Sequence, residues 1–139
     1  MTEHAYTVRS VGERLIAIRT RDVRSRAAVI NMNTSLEAII ASAPGPVAIC
    51  ADHRLLRVLA EDAAEALLDG FRHMNPRLVR SALLLPRHDP SLRLQIERLL
   101  REAHNPSRRI CLDAADVRVW LQPCLDAATE AEVQAFLNG

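Results

Sequence analysis

The sequence predicts a single α/β domain over residues 1–139, with a mostly parallel central sheet of about five strands, flanking helices and an N-terminal β-hairpin. Short β-branched apolar runs, such as "PVAIC" and "LVRSALLL", alternate with segments in which apolar residues recur at the helical period. Strands that alternate with helices are joined by right-handed crossovers, which makes neighbouring strands parallel. At 139 residues and 49% hydrophobic composition, the chain can bury one core of its own.

The N-terminal segment predicts the hairpin and one helix. Residues 6–11 and 14–19 are two short strand-like runs around Gly12 and Glu13. Ser25 can cap the following helix, whose apolar residues keep helical spacing from Val29 to Ala43. The stretch "NMNTS" within it is a poor helix former, so we expect this helix to fray or to begin late.

The middle of the chain predicts two more strands and two more helices. "PVAIC" is typical of a buried strand, and a helix follows from about residue 60 to Met74, where "NP" ends it. "LVRSALLL" is the next strand. Asp89 as N-cap and Pro90 at the first helical position then begin a helix. Its apolar face is formed by Leu92, Ile96, Leu99, Leu100 and Ala103.

The C-terminal segment predicts one strand and two helices. "RRICL" is the strand, Asp113 caps the helix "AADVRVWLQPCL", and Thr129 with Glu132 forms a capping box for a short final helix. We expect the large apolar side chains of these elements to be buried around one sheet, and the following in particular: Leu67, Phe71, Leu83, Leu85, Ile96, Leu99 and Trp120.

Composition and charge exclude several classes of protein. The net charge is +1 and aromatic residues make up 3%, so neither a general attraction to nucleic acid nor a stacking platform for it is indicated. No apolar run is long enough to span a bilayer and no signal peptide is recognisable, so we expect a cytoplasmic protein. All 18 basic residues are arginine, which indicates a GC-rich bacterial genome.

The cysteines do not form a recognisable motif. Cys50, Cys111 and Cys124 are widely spaced and no C-x-x-C sequence is present, so neither a zinc site nor a redox pair is predicted. Because their number is odd and the protein is expected to be cytoplasmic, we expect three free thiols.

The order and lengths of these elements resemble the STAS family of anti-sigma-factor antagonist-like domains, in particular its SpoIIAA-like branch. The most specific likeness is in "RRICLDAADVRVWL", a strand, an Asp and a helix that ends in Trp-Leu. The resemblance implies a loop after the third strand that leads to a phosphorylatable Ser, usually within Asp-Ser-Ser-Gly. Residues 60–63 occupy those positions here as Ala-Glu-Asp-Ala, and residues 51–70 contain no Ser or Thr. The resemblance therefore implies no phosphorylation switch in this chain.

Two interpretations of Glu61 and Asp62 remain open. Acidic residues are favoured in the first turn of any helix because they complement its dipole, and this is the simpler interpretation. Alternatively, the two carboxylates hold the site permanently in a state that mimics phosphorylation.

Polar residues follow the predicted parallel strands, where ligands of open α/β sheets usually bind. Residues 52–54, 87–89 and Asp113 lie at these positions. Asp89 and Asp113 are also predicted helix caps, and no dense ligand motif is present. We therefore predict no catalytic residues, no metal site and no cofactor.

The sequence leads to two alternative functions, and a third, a small enzyme, is the weakest. The first is a non-catalytic interaction domain that binds another bacterial regulatory protein, or a second copy of itself. We expect the partner-binding residues to be Asp52, His53, Arg54, Arg57, Glu61, Asp62 and His88. The alternative is a carrier of a small ligand or lipid, because SpoIIAA-like domains resemble CRAL-TRIO proteins. An apolar pocket of a few hundred Å³ would distinguish the carrier from the interaction domain.

Overall fold

The structure, a computed structural model, describes residues 5–139. Strands and helices follow one another in this part of the chain as β1 (Tyr6–Val11), β2 (Leu15–Thr20), α1 (Arg26–Ser42), β3 (Val47–Asp52), α2 (Glu61–Met74), β4 (Leu78–Leu84), α3 (Pro90–Ala103), β5 (Arg108–Cys111), α4 (Ala114–Leu121) and α5 (Ala127–Asn138). Short 3-10 turns extend α2 and α4. In residues 5–139, no helix is both long enough and apolar enough to cross a membrane.

The five strands form one sheet in the order β1-β2-β3-β4-β5. β1 and β2 are antiparallel, and the pairs from β2 to β5 are parallel. Gly12 makes the turn of the hairpin with a φ of +71°, a left-handed conformation that glycine adopts without strain. The predicted α/β fold with its N-terminal hairpin is confirmed.

The sheet separates two apolar cores because successive side chains of a strand point to opposite faces. The larger core packs Ile16 and Ile18 of β2, with their neighbours on β3 and β4, against α1, α2 and α3. The smaller core packs Leu15 and Ala17 of β2 against α4 and α5. Both faces of the sheet are therefore covered by helices.

Arginine side chains hold the C-terminal ends of the helices. The last carbonyl groups of a helix have no partner within it and carry partial negative charge, so a guanidinium group suits them. Each helix has at least one such contact from another element: Arg77 with Ala43 after α1, Arg108 with Phe71 in α2, Arg72 with Glu102 in α3, Arg80 with Trp120 in α4, and Arg19 and Arg54 with Phe136 and Leu137 in α5. Part of the arginine content is thus structural.

Two expectations about helix beginnings are wrong. α5 begins at Ala127, and its cap is Asp126, whose carboxylate accepts a hydrogen bond from the Thr129 amide at 2.8 Å. Thr129 therefore lies in the first turn, so the predicted Thr129–Glu132 capping box does not form. α1 begins directly after Ser25, which caps it, and continues through "NMNTS" without fraying.

Trp120 is half-buried, whereas we predicted it to be buried. Its indole N–H donates a hydrogen bond to the Ser81 carbonyl at 3.1 Å, which fixes α4 to β4. The guanidinium groups of Arg80 and Arg109 lie 4.2 and 5.5 Å from the ring centroid. Cation–π contact thus replaces part of the expected apolar burial. The other six residues of the predicted core are buried.

Gly70 allows α1 and α2 to approach closely. A Cβ atom at this position would lie 2.5 Å from Nδ2 of Asn33, whose amide group donates a hydrogen bond to the Ala66 carbonyl at 3.1 Å. Gly→Ala within a helix usually gains about 1 kcal/mol. Here we expect Gly70→Ala to lower the free energy of unfolding by about 1–3 kcal/mol, because Asn33 must move and lose its hydrogen bond.

Urea unfolding measures this effect, and the chain offers two controls. A Cβ atom at Gly45 would have no neighbour within 4 Å, so Gly45→Ala should change stability by less than about 0.5 kcal/mol. In the background of Asn33→Ala, Gly70→Ala should be neutral or stabilising because the clash is absent. A stabilising Gly70→Ala in the wild-type background would contradict this account of the α1–α2 contact.

Candidate partner-binding surface

Asp52, the last residue of β3, is buried and lies at the centre of an ion-pair network. Its carboxylate accepts hydrogen bonds from Arg19 Nε at 3.0 Å and from Arg54 Nε and Nη2, each at 2.9 Å. The Arg54 amide adds a bond of 3.1 Å. Burial favours a raised pKa for Asp52, but the hydrogen bonds from Arg54 and Arg19 outweigh it and lower the pKa.

The same two arginines join this network to the end of α5. Arg54 Nη2 donates to the Leu137 carbonyl at 2.9 Å, and Arg19 Nη2 donates to the Phe136 carbonyl. The Arg19 guanidinium also lies 4.3 Å from the centre of the Phe136 ring. Asp52 therefore holds two cations against a helix C-terminus, and its buried carboxylate has a structural role.

His53 is buried beside this network. Its Nδ1 lies 3.0 Å from the Thr20 hydroxyl oxygen, and its backbone amide donates to the Leu84 carbonyl at 2.8 Å. Burial lowers the pKa of His53 to about 4, although the negative charge of Asp52 acts in the opposite direction. The imidazole is thus neutral at pH 7. Like Asp52, His53 is buried and has a structural role at the start of the loop.

The loop of residues 53–60 is held by hydrogen bonds and exposes apolar side chains. Leu56 and Leu59 are buried, and Gln95 of α3 bonds to both the amide and the carbonyl of Leu59, at 2.9 and 2.8 Å. Leu55 and Val58 instead point outwards and are 56% and 50% exposed. A loop with a fixed backbone therefore presents two apolar side chains to solvent.

Arg57 and His88 are exposed, but their surroundings differ. Arg57 lies between Leu55 and Val58 in the loop, and its Nη1 donates only to the neighbouring Leu56 carbonyl, at 3.1 Å, among the contacts of the described residues. His88 lies in the separate segment between β4 and α3. Arg57 therefore belongs to the surface of the loop, whereas no hydrogen bond or ion pair joins His88 to the loop in the described residues.

The first turn of α2 is acidic and lacks a side-chain cap. Ala60 occupies the N-cap position and cannot accept a hydrogen bond through its side chain. The Glu61 carboxylate lies 3.5 Å from Arg98 of α3, and the Asp62 carbonyl accepts a bond of 3.1 Å from Arg26. Glu61 and Asp62 thus complement the helix dipole without capping the helix by hydrogen bonds.

The missing cap leads to a prediction. Ala60 has extended backbone geometry, with φ −60° and ψ 155°, that suits an N-cap residue. We expect Ala60→Ser to raise the free energy of unfolding by about 0.5–2 kcal/mol, because the hydroxyl can accept a hydrogen bond from the first turn. Thermal unfolding measures the gain. Ala131→Ser, at an exposed position within α5, should be neutral or slightly destabilising, and a similar gain there would contradict the capping explanation.

The polar segments after the parallel strands do not form a metal site. Asp89 caps α3 through a bond of 3.0 Å to the Leu92 amide, and Asp113 caps α4 through a bond of 2.8 Å to the Asp116 amide. Within residues 5–139, no group of three or more His, Cys, Asp or Glu side chains is placed to hold a metal ion. The three cysteines are free thiols, and burial raises the pKa of Cys50 to about 12 and that of Cys111 to about 11.

The larger core contains one small cavity that bears on the carrier hypothesis. Its volume is about 30 Å³, and Asn33, His53, Ser81 and Arg108 contribute polar side chains to its lining. An apolar ligand of the lipid class needs a pocket of about 300 Å³ or more. This cavity is therefore about the size of one water molecule.

Comparison with known proteins identifies the fold. No family model matches the sequence, and no curated protein is significantly similar to it. Among solved structures, that of the anti-sigma factor antagonist SpoIIAA in its unphosphorylated form matches with a TM-score of 0.62 and 15% sequence identity. The match covers 88% of this chain and 100% of the other. The chain therefore has the SpoIIAA-like fold that its sequence resembles.

Proposed function

We propose that this chain is a non-catalytic interaction domain of a bacterial regulatory system. Its partner protein binds the surface formed by the loop of residues 53–60 and the first turn of α2. The observation that carries the proposal is the exposure of Leu55 and Val58 on a loop whose backbone is fixed. Exposed apolar patches that are rimmed by polar residues are typical of protein-binding surfaces.

Charged residues flank the apolar pair along the chain. Arg57 lies within the loop, and Glu61 and Asp62 follow it directly in α2. Asp52 and His53, which are buried, and Arg54, which is exposed, fix the start of the loop and the end of α5. Binding then requires little ordering of the loop, which lowers the entropic cost of association.

The fold supports an interaction with a protein more than a carrier function. SpoIIAA, which shares the fold, is an anti-sigma factor antagonist and is thus defined by its action on another protein. The cavity in the larger core is about ten times too small for a lipid. The polar groups after the parallel strands cap helices or hold ion pairs, so the proposal assigns no reaction to them.

The test compares three immobilised proteins in a lysate of the bacterial host: wild type, the double variant Leu55→Ser/Val58→Ser, and Val119→Ser. Val119 is an exposed apolar residue of α4, on the other face of the sheet, and serves as the matched control. We expect wild type and Val119→Ser to retain a host protein whose amount, measured by quantitative mass spectrometry, is at least about tenfold lower with the double variant. Equal retention by all three folded proteins would overturn the proposal.

A further inference from the structure

The groove next to the exposed loop indicates what kind of partner it accepts. It lies between α2 and α3, has a volume of about 320 Å³, and is lined by Glu61, Glu65, Asp69, Arg98 and Glu102. Leu68 and Leu99 also line it and are buried. Val58 precedes Glu61 by three residues, so their Cα atoms are at most about 11 Å apart. Val58 of the apolar pair therefore lies close to the Glu61 end of the groove.

The charge of this surface is strongly negative along α2. Glu61, Glu65 and Asp69 are exposed and spaced four residues apart, so they lie along one helix face, with each about 6 Å from the next. α2 contains four carboxylates and one arginine, a net charge of −3, whereas the whole chain carries +1.

The cations of the groove are already engaged. Arg98 lies 3.5 Å from both Glu61 and Glu102, and Arg72 donates to the Glu102 carbonyl at 3.2 Å. Glu65 and Asp69 have no ion pair among the contacts of residues 5–139. Their charges are therefore available to a partner.

We infer that the partner presents a basic amphipathic helix to this surface, an inference that rests on the proposed function. Apolar side chains at one end of that helix would contact Leu55 and Val58. Lys or Arg residues four apart on the same helix would match the spacing of Glu61, Glu65 and Asp69. A second copy of this chain fits less well, because a two-fold dimer through this face would bring two negatively charged α2 helices together.

The experiment uses the full chain and a synthetic peptide of about 16 residues, a length that allows a helix to form. The peptide has leucines at one end and lysines at every fourth position, and a second peptide carries glutamate in place of lysine. We expect the lysine peptide to bind and the glutamate peptide not to bind. The affinity for the lysine peptide should fall about tenfold as salt is raised from low to physiological concentration. Fluorescence anisotropy of the labelled peptides measures both.

Two pairs of variants separate charge from apolar contact. Glu65→Gln/Asp69→Asn should weaken lysine-peptide binding about tenfold, whereas Glu13→Gln/Glu132→Gln, which removes two exposed carboxylates outside the groove, should leave it within twofold. Leu55→Ser/Val58→Ser should also weaken it about tenfold, and Val119→Ser should not. Equal binding by all four variants would show non-specific adhesion and overturn the inference.

The two proposals can fail separately. If a host protein is retained through Leu55 and Val58 but is insensitive to salt and to Glu65→Gln/Asp69→Asn, the interaction surface stands and the basic partner is wrong. If light scattering shows a dimer that Leu55→Ser/Val58→Ser dissociates, the surface binds a second copy and the inference of a basic partner is overturned.

Discussion

Replacing Leu99 with alanine is expected to lower the free energy of unfolding by about 2–5 kcal/mol. Leu99 lies in α3, is 1% exposed, and belongs to the larger core between the sheet and helices α1 to α3. Its truncation removes apolar contacts and leaves a void that neighbouring side chains fill only in part. Because Leu99 also lines the groove between α2 and α3, the loss should extend to the packing of these helices.

Urea denaturation of the wild type and of two variants measures this loss. Leu94 lies in the same helix but is 66% exposed, so Leu94→Ala should cost less than about 0.5 kcal/mol. The pair shares residue type and helix and differs only in burial. A loss below about 1 kcal/mol for Leu99→Ala would show that the buried face of α3 is assigned wrongly.

The fold was predictable because each of its elements carries a local signal. Alternating or continuous apolar runs indicated the strands. Asp89-Pro90 and Asp113 indicated the beginnings of α3 and α4, where Asp89 and Asp113 form the caps. The cap of α5 was missed although the signal was present. Asp126 precedes Thr129 by three residues, the same spacing as Asp113 and Asp116.

The errors have tertiary causes. "NMNTS" is a poor helix former by itself, but Met32 and Leu36 pack into the larger core and Asn33 bonds to α2, which outweighs local propensity. Trp120 is half-exposed and has Arg80 and Arg109 against its ring, and neither contact follows from helical periodicity.

The candidate surface was predictable in position but not in composition. The strand–loop–helix order placed it after β3, yet the sequence "RLLRVLA" does not show which apolar residues face solvent. Gln95 contributes to this, since it bonds to the backbone of Leu59 from a helix 36 residues away in the chain. Likewise, the pairing of Arg19 and Arg54 with the end of α5 depends on contacts that only the folded chain creates.

Lowering the pH from about 6.5 to about 4 is expected to remove about 3 kcal/mol of stability through His53. Its pKa in the folded protein is about 4, because burial disfavours the charged imidazole, whereas in the unfolded chain the ordinary value of 6.5 applies. Between these values the unfolded state binds more protons than the native state. Stability therefore falls as the pH falls through this range, and above it His53 contributes no pH dependence.

Asp52 also makes stability depend on pH, but through stabilisation of its charged form and in a lower pH range. Its pKa is lowered below the ordinary value of 3.8, so its stabilising ion pairs persist above that value and are lost as the pH falls below it. The decline between pH 6.5 and 4 is thus separable from the loss of the network of Asp52, Arg19 and Arg54.

Urea unfolding at a series of pH values tests the prediction with two variants. His53→Gln removes the titrating group, so its stability should change much less than that of wild type between pH 6.5 and 4, whatever its stability at pH 7. His88→Gln replaces an exposed histidine and should retain the wild-type slope. If His53→Gln kept that slope, the pH dependence would belong to other groups, and His53 would have to be charged or solvated in the native protein.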